Sequence, residues 1–448
     1  MSLSRRQFFT LAGTSAAGVV LMSPLEALYT RVANGQSVSG GGYGPLIPDP
    51  NGLLDLPRGF QYRAFSRTGD MMNDRNPVPG GHDGMAAFPG PNNTTILVRN
   101  HELSPNSTTQ VAGLKYDNLC KGGTTTLIVG PDRQLKSHYA SLAGTYRNCA
   151  GGPTPWGSWI SCEENTSTPA TNDPVNTTGN VEKRHGYNFE VPANAKRNVV
   201  PVPLRAMGRF NHEAVAVDPK TGIVYETEDR GDSLFYRFIP NQPGNLVAGG
   251  VLEALKIKGM PQAITKTNFP VRKPMAVEWV RIDNPDPDTD TFNRLATPES
   301  TRAQGFSKGA AQFTRGEGIW YGKGEFYFCC TDGGEKELGQ VWRYVPGTNA
   351  QEGGTLELFV EPNNENVLEG PDNIVVAPFG DLILCEDGDD EQFVVGVTQK
   401  GELYQFARNA INDREFAGAC FSPDGQTMFV NIQTPGITFA IWGPWARG

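Results

Sequence analysis

The chain has 448 residues, with 39 basic and 48 acidic side chains and a formal net charge of −9. It has no basic stripe, which argues against nucleic-acid binding. The 53 glycines and 34 prolines are spread along the whole chain, so they predict many turns, as in an all-β protein.

The amino-terminal residues have the pattern of an export signal. Arg5 and Arg6 precede Gln-Phe-Phe, and an apolar stretch follows at residues 11–22. This stretch is short and rich in Gly, Ala and Ser, so we expect no stable membrane span. We predict a twin-arginine signal in residues 1–34, recognised by the twin-arginine export machinery, and a periplasmic or extracellular location. Residues 35–448 are expected to form a single, monomeric catalytic domain.

Six segments share a pattern of two short apolar strands joined by a turn. The first strands are residues 82–88, 149–155, 212–218, 316–322, 371–377 and 416–422. The second strands are residues 96–102, 158–164, 223–229, 326–332, 382–388 and 428–434. Repeated β units of this kind are typical of propeller blades. The sequence therefore predicts an all-β, six-bladed propeller.

The spacing between the third and fourth units is longer than the rest. The extra residues, roughly 245–300, are polar and rich in proline, so we expect a long surface insertion. A smaller insertion is expected at residues 168–184. The final apolar run, residues 438–445, is expected to close the ring by completing a blade begun near the amino terminus.

Acidic residues recur at equivalent levels of these repeats. The first strand of each propeller blade lines the central channel, so equivalent positions converge on the axis. When the six first strands are aligned, their second residues are Asp83, Ala150, Glu213, Glu317, Asp372 and Ala417. The ends of the second strands add Glu102, Cys162, Glu163, Glu228, Asp229, Asp332, Glu386 and Asp387. Because so many carboxylates would repel one another, we expect bound multivalent cations.

The donor types favour two kinds of metal. Carboxylate oxygens suit Ca²⁺ or Mg²⁺, whereas a thiolate such as Cys162 suits iron or zinc. The chain has five histidines, too few and too scattered to predict a zinc site made mainly of histidine. A mixed cluster fits both signals, and a buried structural cysteine is the alternative for Cys162. The other strand cysteines, Cys329, Cys330, Cys385 and Cys420, are expected to be buried.

Arg315 lies two residues before Glu317, so alternation places both side chains on one face of an extended segment. A guanidinium beside a metal-binding carboxylate suits phosphate, and a structural salt bridge is the alternative. The sequence contains neither a serine nucleophile elbow nor a P-loop. If the chain is a hydrolase, a metal-bound oxygen is therefore the expected nucleophile.

Several long stretches resemble the PhoX-type alkaline phosphatases. They are residues 149–164, 208–238, 313–321, 369–378 and 415–445, within a similarity that runs from about residue 45 to the carboxyl terminus. The resemblance implies a propeller, export, phosphomonoester hydrolysis, and two ferric and three calcium ions around a bridging oxo group. It also implies that Cys162 of WGSWISCEE bridges the irons, that Glu213 and Glu317 are ligands, and that Arg315 holds phosphate.

We therefore predict an exported, metal-dependent alkaline phosphatase that acts on small-molecule phosphate esters through a metal-bridging oxygen, with Arg315 as the catalytic residue. The predicted metal ligands are Cys162, Glu213, Glu317, Asp372, Glu102, Glu163, Glu228, Glu386 and Asp83. One alternative is a calcium-dependent propeller lactonase or phosphotriesterase. Another is a non-catalytic, calcium-stabilised propeller that binds a partner. Nothing in the sequence predicts a nucleotide, haem or flavin cofactor.

Overall fold

The structure, a computed structural model, describes residues 42–173, 179–290, 299–349, 352–362 and 364–445. The predicted export signal, residues 1–34, lies outside the described residues. Within them strands dominate, and the longest helix is α1 (Thr301–Ser307), which confirms the all-β prediction. No helix in this part of the chain has both the length and the apolar character that a membrane span requires.

The strands of the first half are β1 (Leu46–Ile47), β2 (Leu54–Pro57), β3 (Gln61–Phe65), β4 (His82–Pro89), β5 (Thr95–His101), β6 (Gly122–Val129), β7 (Leu135–Thr145), β8 (Asn148–Pro153), β9 (Ser158–Glu163), β10 (Asn188–Pro192), β11 (His212–Val217), β12 (Val224–Glu228) and β13 (Tyr236–Pro240). Those of the second half are β14 (Gly250–Ile257), β15 (Met275–Arg281), β16 (Gly316–Gly322), β17 (Glu325–Cys330), β18 (Gln340–Val345), β19 (Thr355–Val360), β20 (Pro371–Val376), β21 (Leu382–Glu386), β22 (Phe393–Val397), β23 (Leu403–Asn409), β24 (Phe416–Phe421), β25 (Met428–Ile432) and β26 (Ile437–Trp442). Short 3₁₀ turns lie at Pro91–Asn93, Arg205–Met207 and Leu246–Ala248.

Six inner strands, β4, β8, β11, β16, β20 and β24, contact one another in this order. Strand β24 also contacts β4, so the ring closes. Each inner strand begins an antiparallel meander that runs outward, for example β4–β5–β6–β7. The predicted first and second strands of every repeat lie in these meanders, and the propeller prediction is confirmed.

The ring closes through strands from both ends of the described chain. Strand β26 pairs with β3, with Thr438 opposite Phe65 and Trp442 opposite Gln61. The sheet β24–β25–β26–β3 therefore takes three strands from the carboxyl end and one from the amino end. This confirms the closure expected for residues 438–445.

Residues 245–300 contribute more than surface loops. Strand β14 is the fourth strand of its meander, and β15 pairs with both β14 and β19. Leu252, Leu255 and Val277 of these strands are buried, so this part of the chain contributes to the core. The pairing joins two meanders into one nine-stranded sheet. The described residues thus form five hydrogen-bonded sheets around six inner strands, and the count of six blades stays a prediction.

Small residues let the inner strands approach one another at the axis. A Cβ added to Gly84 would lie 2.6 Å from the Cα of Ala150, and one added to Gly318 would lie 2.7 Å from the carbonyl oxygen of Asp372. The space that these residues line has a volume of about 20 Å³, and Trp320 lies against it. The close approach brings the beginnings of the inner strands together at one end of the ring.

Candidate metal centre

A cavity of about 110 Å³ lies where the inner strands begin. Its lining contains nine carboxylates, one thiol, two guanidinium groups and one amide. These residues are Asp83, Glu102, Arg147, Cys149, Glu164, Glu213, Asp229, Arg315, Glu317, Asp372, Asp387, Glu415 and Gln433. Such a concentration of acids in one small cavity needs cations, because buried carboxylates in mutual contact repel one another.

Three equivalent positions of the repeat supply these side chains. The residue just before an inner strand supplies Arg147, Arg315 and Glu415. The second residue of the inner strand supplies Asp83, Cys149, Glu213, Glu317 and Asp372. The residue just after the second strand supplies Glu102, Glu164, Asp229, Asp387 and Gln433.

A β-bulge follows the start of each inner strand. In β4 the regular pairing is interrupted between His82 and Met85, and in β11 between His212 and Val215. The residue inside the bulge, Asp83 or Glu213, is free of the ladder and faces the cavity. Bulges commonly redirect side chains in this way beside functional sites.

Six of the predicted site residues line the cavity: Asp83, Glu102, Glu213, Glu317, Asp372 and Arg315. Asp229 and Asp387, noted in the sequence as strand ends, line it too. Asp332 does not, and its carboxylate accepts hydrogen bonds from Thr314 and Lys266.

Three predicted ligands, Glu163, Glu228 and Glu386, do not line the cavity, and the residue after each one does. Each of the three is the last paired residue of its second strand, opposite the first residue of an inner strand. Successive side chains of a strand point to opposite faces, so a shift of one residue exchanges the two faces.

The three displaced acids have structural partners instead. Glu163 accepts hydrogen bonds from His185 at 2.8 Å and from backbone N–H groups of the same segment. Glu228 accepts from Arg302 at 2.6 Å and from Tyr236 at 3.0 Å. Glu386 accepts from the backbone N–H groups of Glu369 and Phe393, both at 3.0 Å. Each of them therefore stabilises the chain around the cavity.

The cavity thiol belongs to Cys149, whereas Cys162, the thiol that the sequence predicts to bind metal, does not line the cavity. Cys162 packs with Ile160, Phe210 and Val215 in a hydrophobic cluster, as in the structural alternative considered above. The first-strand alignment began one residue too late in the second repeat, which placed Ala150 at the position of the aligned acids. Aligning Asn148-Cys149 with His82-Asp83 and His212-Glu213, the pairs that begin two other inner strands, would have found the thiol.

The sequence reasoning also missed Arg147, Glu164, Glu415 and Gln433. Arg147 is the equivalent of Arg315 in another unit, and both have a positive φ, 48° and 44°. In two further units this position is occupied by Gly81 and Gly370, with φ values of 56° and 57°. Four of the six units thus have a left-handed backbone here, and in two of them an arginine adopts it.

Both arginines bridge two carboxylates. Arg315 donates from Nε to Asp229 at 2.9 Å and from Nη2 to Asp229 at 3.1 Å and Glu317 at 2.9 Å. Arg147 donates from Nε and Nη2 to Glu164, at 3.1 and 2.6 Å, and its Nη2 also pairs with Glu102. The guanidinium groups therefore offset part of the negative charge and leave most of it unpaired.

Burial and mutual repulsion raise the carboxyl pKa values. Burial raises the pKa of Glu164 to about 8, although Arg147 opposes the rise. Burial, with a neighbouring carboxylate, raises the pKa of Asp372 to about 7. Burial and neighbouring carboxylates raise the pKa values of Asp83, Glu213, Glu317 and Glu415 well above the usual range. Without bound cations, much of this cavity would take up protons at neutral pH.

The cavity contains three groups of donors that fit metal ions, with all donor atoms of a group within 4.8 Å of one another. One group combines the thiol of Cys149 with Glu164 and Glu213. The other two are entirely carboxylate: Glu213, Glu317 and Asp372, and Asp83, Glu102 and Glu415. A thiolate group suits a transition metal and carboxylate groups suit calcium, so the residues fit a mixed cluster.

A comparison of the chain with known protein families identifies its family. The family described as alkaline phosphatase PhoX matches residues 41–436. The chain belongs to the PhoX alkaline phosphatase family. PhoX enzymes depend on metal ions, in agreement with the donor groups of the cavity. The chain is therefore a phosphatase, and small-molecule phosphate esters are its substrate class.

Solved structures resemble this chain to different degrees, and the first of them shows the same fold. Pseudomonas fluorescens PhoX, in complex with the transition-state analogue vanadate, is 16% identical with a TM-score of 0.66, covering 92% of this chain and 98% of its own. The gluconolactonase XC5397 from Xanthomonas campestris is 13% identical with a TM-score of 0.43, covering 90% and 99%. Virginiamycin B lyase from Staphylococcus aureus is 11% identical with a TM-score of 0.41, covering 86% and 99%. A comparison with curated proteins gives no match.

Proposed function

We propose that this PhoX-family phosphatase is an exported enzyme that hydrolyses phosphate monoesters in the acidic cavity with the help of iron and calcium. The observation that carries the proposal is the convergence of nine carboxylates, one thiol and two guanidinium groups on a single cavity. If all nine carboxylates are ionised, the two guanidinium groups leave seven negative charges uncompensated. Several multivalent cations are needed to offset that charge.

The donors divide the metal sites by chemistry. Cys149, Glu164 and Glu213 would hold a transition metal such as iron, and the carboxylate groups would hold calcium. Glu213 belongs to two groups and would link their ions. When bound, such ions supply positive charge for the phosphate and lower the pKa of coordinated water.

Arg315 is placed to bind the phosphate. Its Nε and Nη2 groups are held by Asp229 and Glu317, which fixes the plane of the guanidinium. Within the described part of the chain, the structure gives Nη1 no hydrogen-bond partner, and the side chain is 39% exposed. The guanidinium can therefore donate to a phosphate oxygen that enters the cavity, and stabilise the charge that develops there during transfer.

The size of the cavity limits what enters it. A volume of about 110 Å³ would hold the metal ions and a phosphate group, with no room for a large alcohol portion as well. The alcohol portion of a monoester would remain at the mouth, so the enzyme would accept varied leaving groups. Family membership favours this reading over the lactonase and non-catalytic alternatives considered from the sequence.

Phosphate release measured with and without metals tests the proposal. We expect the exported, metal-loaded protein to hydrolyse p-nitrophenyl phosphate, to lose activity on chelation, and to contain both iron and calcium by elemental analysis. Vanadate, which binds the Pseudomonas fluorescens enzyme, should inhibit it. Turnover that survives complete metal removal, or no turnover by fully loaded protein, would contradict the proposal. Retention of the full chain inside the cell would contradict the export part alone.

A further inference from the structure

A second cluster of metal-binding side chains lies outside the acidic cavity. Asp117, Cys120 and His185 are all fully buried, and one donor atom of each lies within 4.8 Å of the other two. None of the three lines the cavity. We call this group the Asp117 cluster.

The distances within the Asp117 cluster match the edges of a zinc tetrahedron. Nε2 of His185 lies 3.2 Å from Oδ2 of Asp117 and 3.5 Å from Sγ of Cys120. Zinc bonds of about 2.0 Å to oxygen and nitrogen and about 2.3 Å to sulfur, at tetrahedral angles, require separations of about 3.3 and 3.6 Å. The three donors could bind one ion with little rearrangement.

The surrounding hydrogen bonds orient the donors. Nδ1 of His185 contacts Glu163 at 2.8 Å, which directs Nε2 to the cluster. A carboxylate on the second ring nitrogen is the usual support of a metal-bound histidine. Asp117 accepts from the backbone N–H groups of Leu119 and Lys183, both at 2.8 Å, so its carboxylate is fixed before any ion arrives.

The charges around the cluster also favour a cation. Asp117 and Glu163 are two buried carboxylates, and among the described residues the structure gives both the same salt-bridge partner, His185. With His185 protonated, Asp117, Glu163 and His185 together carry one net negative charge. A buried carboxylate is costly unless it is paired or bound to a metal, so an ion between the donors would give Asp117 a cation as a direct partner.

We propose that Asp117, Cys120 and His185 form a structural site for one divalent transition-metal ion, with zinc as the best match. On binding, the ion replaces the proton on Nε2 of His185 and the thiol proton of Cys120, so two protons leave and the net buried charge is unchanged. The ion would tie the loop that carries Asp117 and Cys120 to the segment that carries His185. Because Glu163 contacts His185 and its neighbour Glu164 lines the cavity, the site would stabilise one wall of the metal centre.

Zinc content measured in matched cysteine variants tests this proposal. The full chain is loaded with Zn²⁺, dialysed, and analysed for bound zinc per chain as wild type, Cys120→Ala and Cys420→Ala. Cys420 is equally buried and lies in an apolar cluster, so it controls for the loss of a buried thiol. We expect Cys120→Ala to lose one zinc per chain relative to wild type and Cys420→Ala to lose none. Equal zinc content in all three proteins would overturn the proposal.

A measurement on the wild-type protein covers the case in which Cys120→Ala does not fold. Anomalous diffraction at the zinc edge, from crystals of the full chain soaked in Zn²⁺, should show a peak between Sγ of Cys120 and Nε2 of His185. Peaks confined to the acidic cavity would show that the Asp117 cluster is only a hydrogen-bonded network.

Discussion

At Arg315 the backbone φ is 44°, a value that glycine adopts far more readily than arginine. The equivalent Gly81 and Gly370 have the same left-handed backbone. Keeping a large side chain there costs roughly 1–3 kcal/mol, and such strain is common at functional sites. The cost supports a role for the Arg315 guanidinium beyond its salt bridges to Asp229 and Glu317.

We expect Arg315→Lys to lower kcat/KM on the order of a hundredfold or more, the scale of losing one positioned charge-stabilising donor. Lysine keeps the positive charge but lacks the planar fork that contacts Asp229 and Glu317. Metal content and thermal stability should remain near wild type. Elemental analysis and steady-state kinetics check both points, and Glu317→Gln, which should lose metal, is the contrasting variant. Loss of metal from Arg315→Lys would instead make Arg315 a structural partner of the acids.

The two cysteines of the second repeat should differ sharply. Cys149→Ser should remove the transition metal and any thiolate-to-metal absorption, because the Cys149 thiol belongs to a donor group of the cavity. Cys162→Ser should keep the transition metal and its absorption. It should lose roughly 1–3 kcal/mol of stability, because it places a hydroxyl in an apolar cluster. Visible absorption, elemental analysis and urea unfolding separate these outcomes. The reverse pattern would restore Cys162 as the metal ligand.

At the scale of elements, the sequence predicted the strands well and the cavity-facing side chains unevenly. Alternating apolar residues and turn signals were sufficient to place both strands of each repeat and the closing strand β26. Periodicity cannot show a bulge, because one extra residue changes which side chains face the axis without changing the composition. Asp83 and Glu213 were found because their repeats were aligned in the right register, whereas Cys149 was missed because the alignment of the second repeat began one residue too late. Arg147 was missed because nothing local distinguishes it from a surface arginine.

Helix α1 anchors its part of the chain through one buried cation. Arg302 lies in this helix and pairs with Glu228 at 2.6 Å and with Asp290 at 2.8 Å. Arg302→Met should destabilise the protein by about 3–5 kcal/mol, because buried Glu228 loses its cation and buried Asp290 keeps only Arg230. Urea unfolding measures the loss. Cavity metal content should not change, and a drop in metal content without a change in stability would return Glu228 to the metal centre.

At the scale of the whole molecule, the raised carboxyl pKa values predict how stability depends on pH. The pKa values of Glu164 and Asp372 are about 8 and about 7, above their ordinary values of 4.5 and 3.8. A carboxyl group whose pKa is raised on folding contributes its full stability below the ordinary value and loses it as pH rises through the folded one. The free energy of unfolding of the metal-free protein should therefore fall as pH rises from about 4 to about 8.

Calcium should suppress this fall, because bound cations take the place of the protons. Urea unfolding across the pH range, with a chelator and then with saturating Ca²⁺, measures both curves. A metal-free protein whose stability is constant over this range would show that the cavity acids are already neutralised in another way.

The narrow axis has a consequence for turnover. Below the cavity, the inner strands and Trp320 leave a space of about 20 Å³, enough for about one water molecule. Neither an ester nor phosphate can cross the ring through this space, so released phosphate leaves the cavity on the side from which the next ester arrives. Both compete for Arg315. Inorganic phosphate should therefore inhibit competitively, raising the apparent KM in initial-rate measurements while kcat stays constant, and an inhibition that lowers kcat would mean that phosphate also binds outside the ester site.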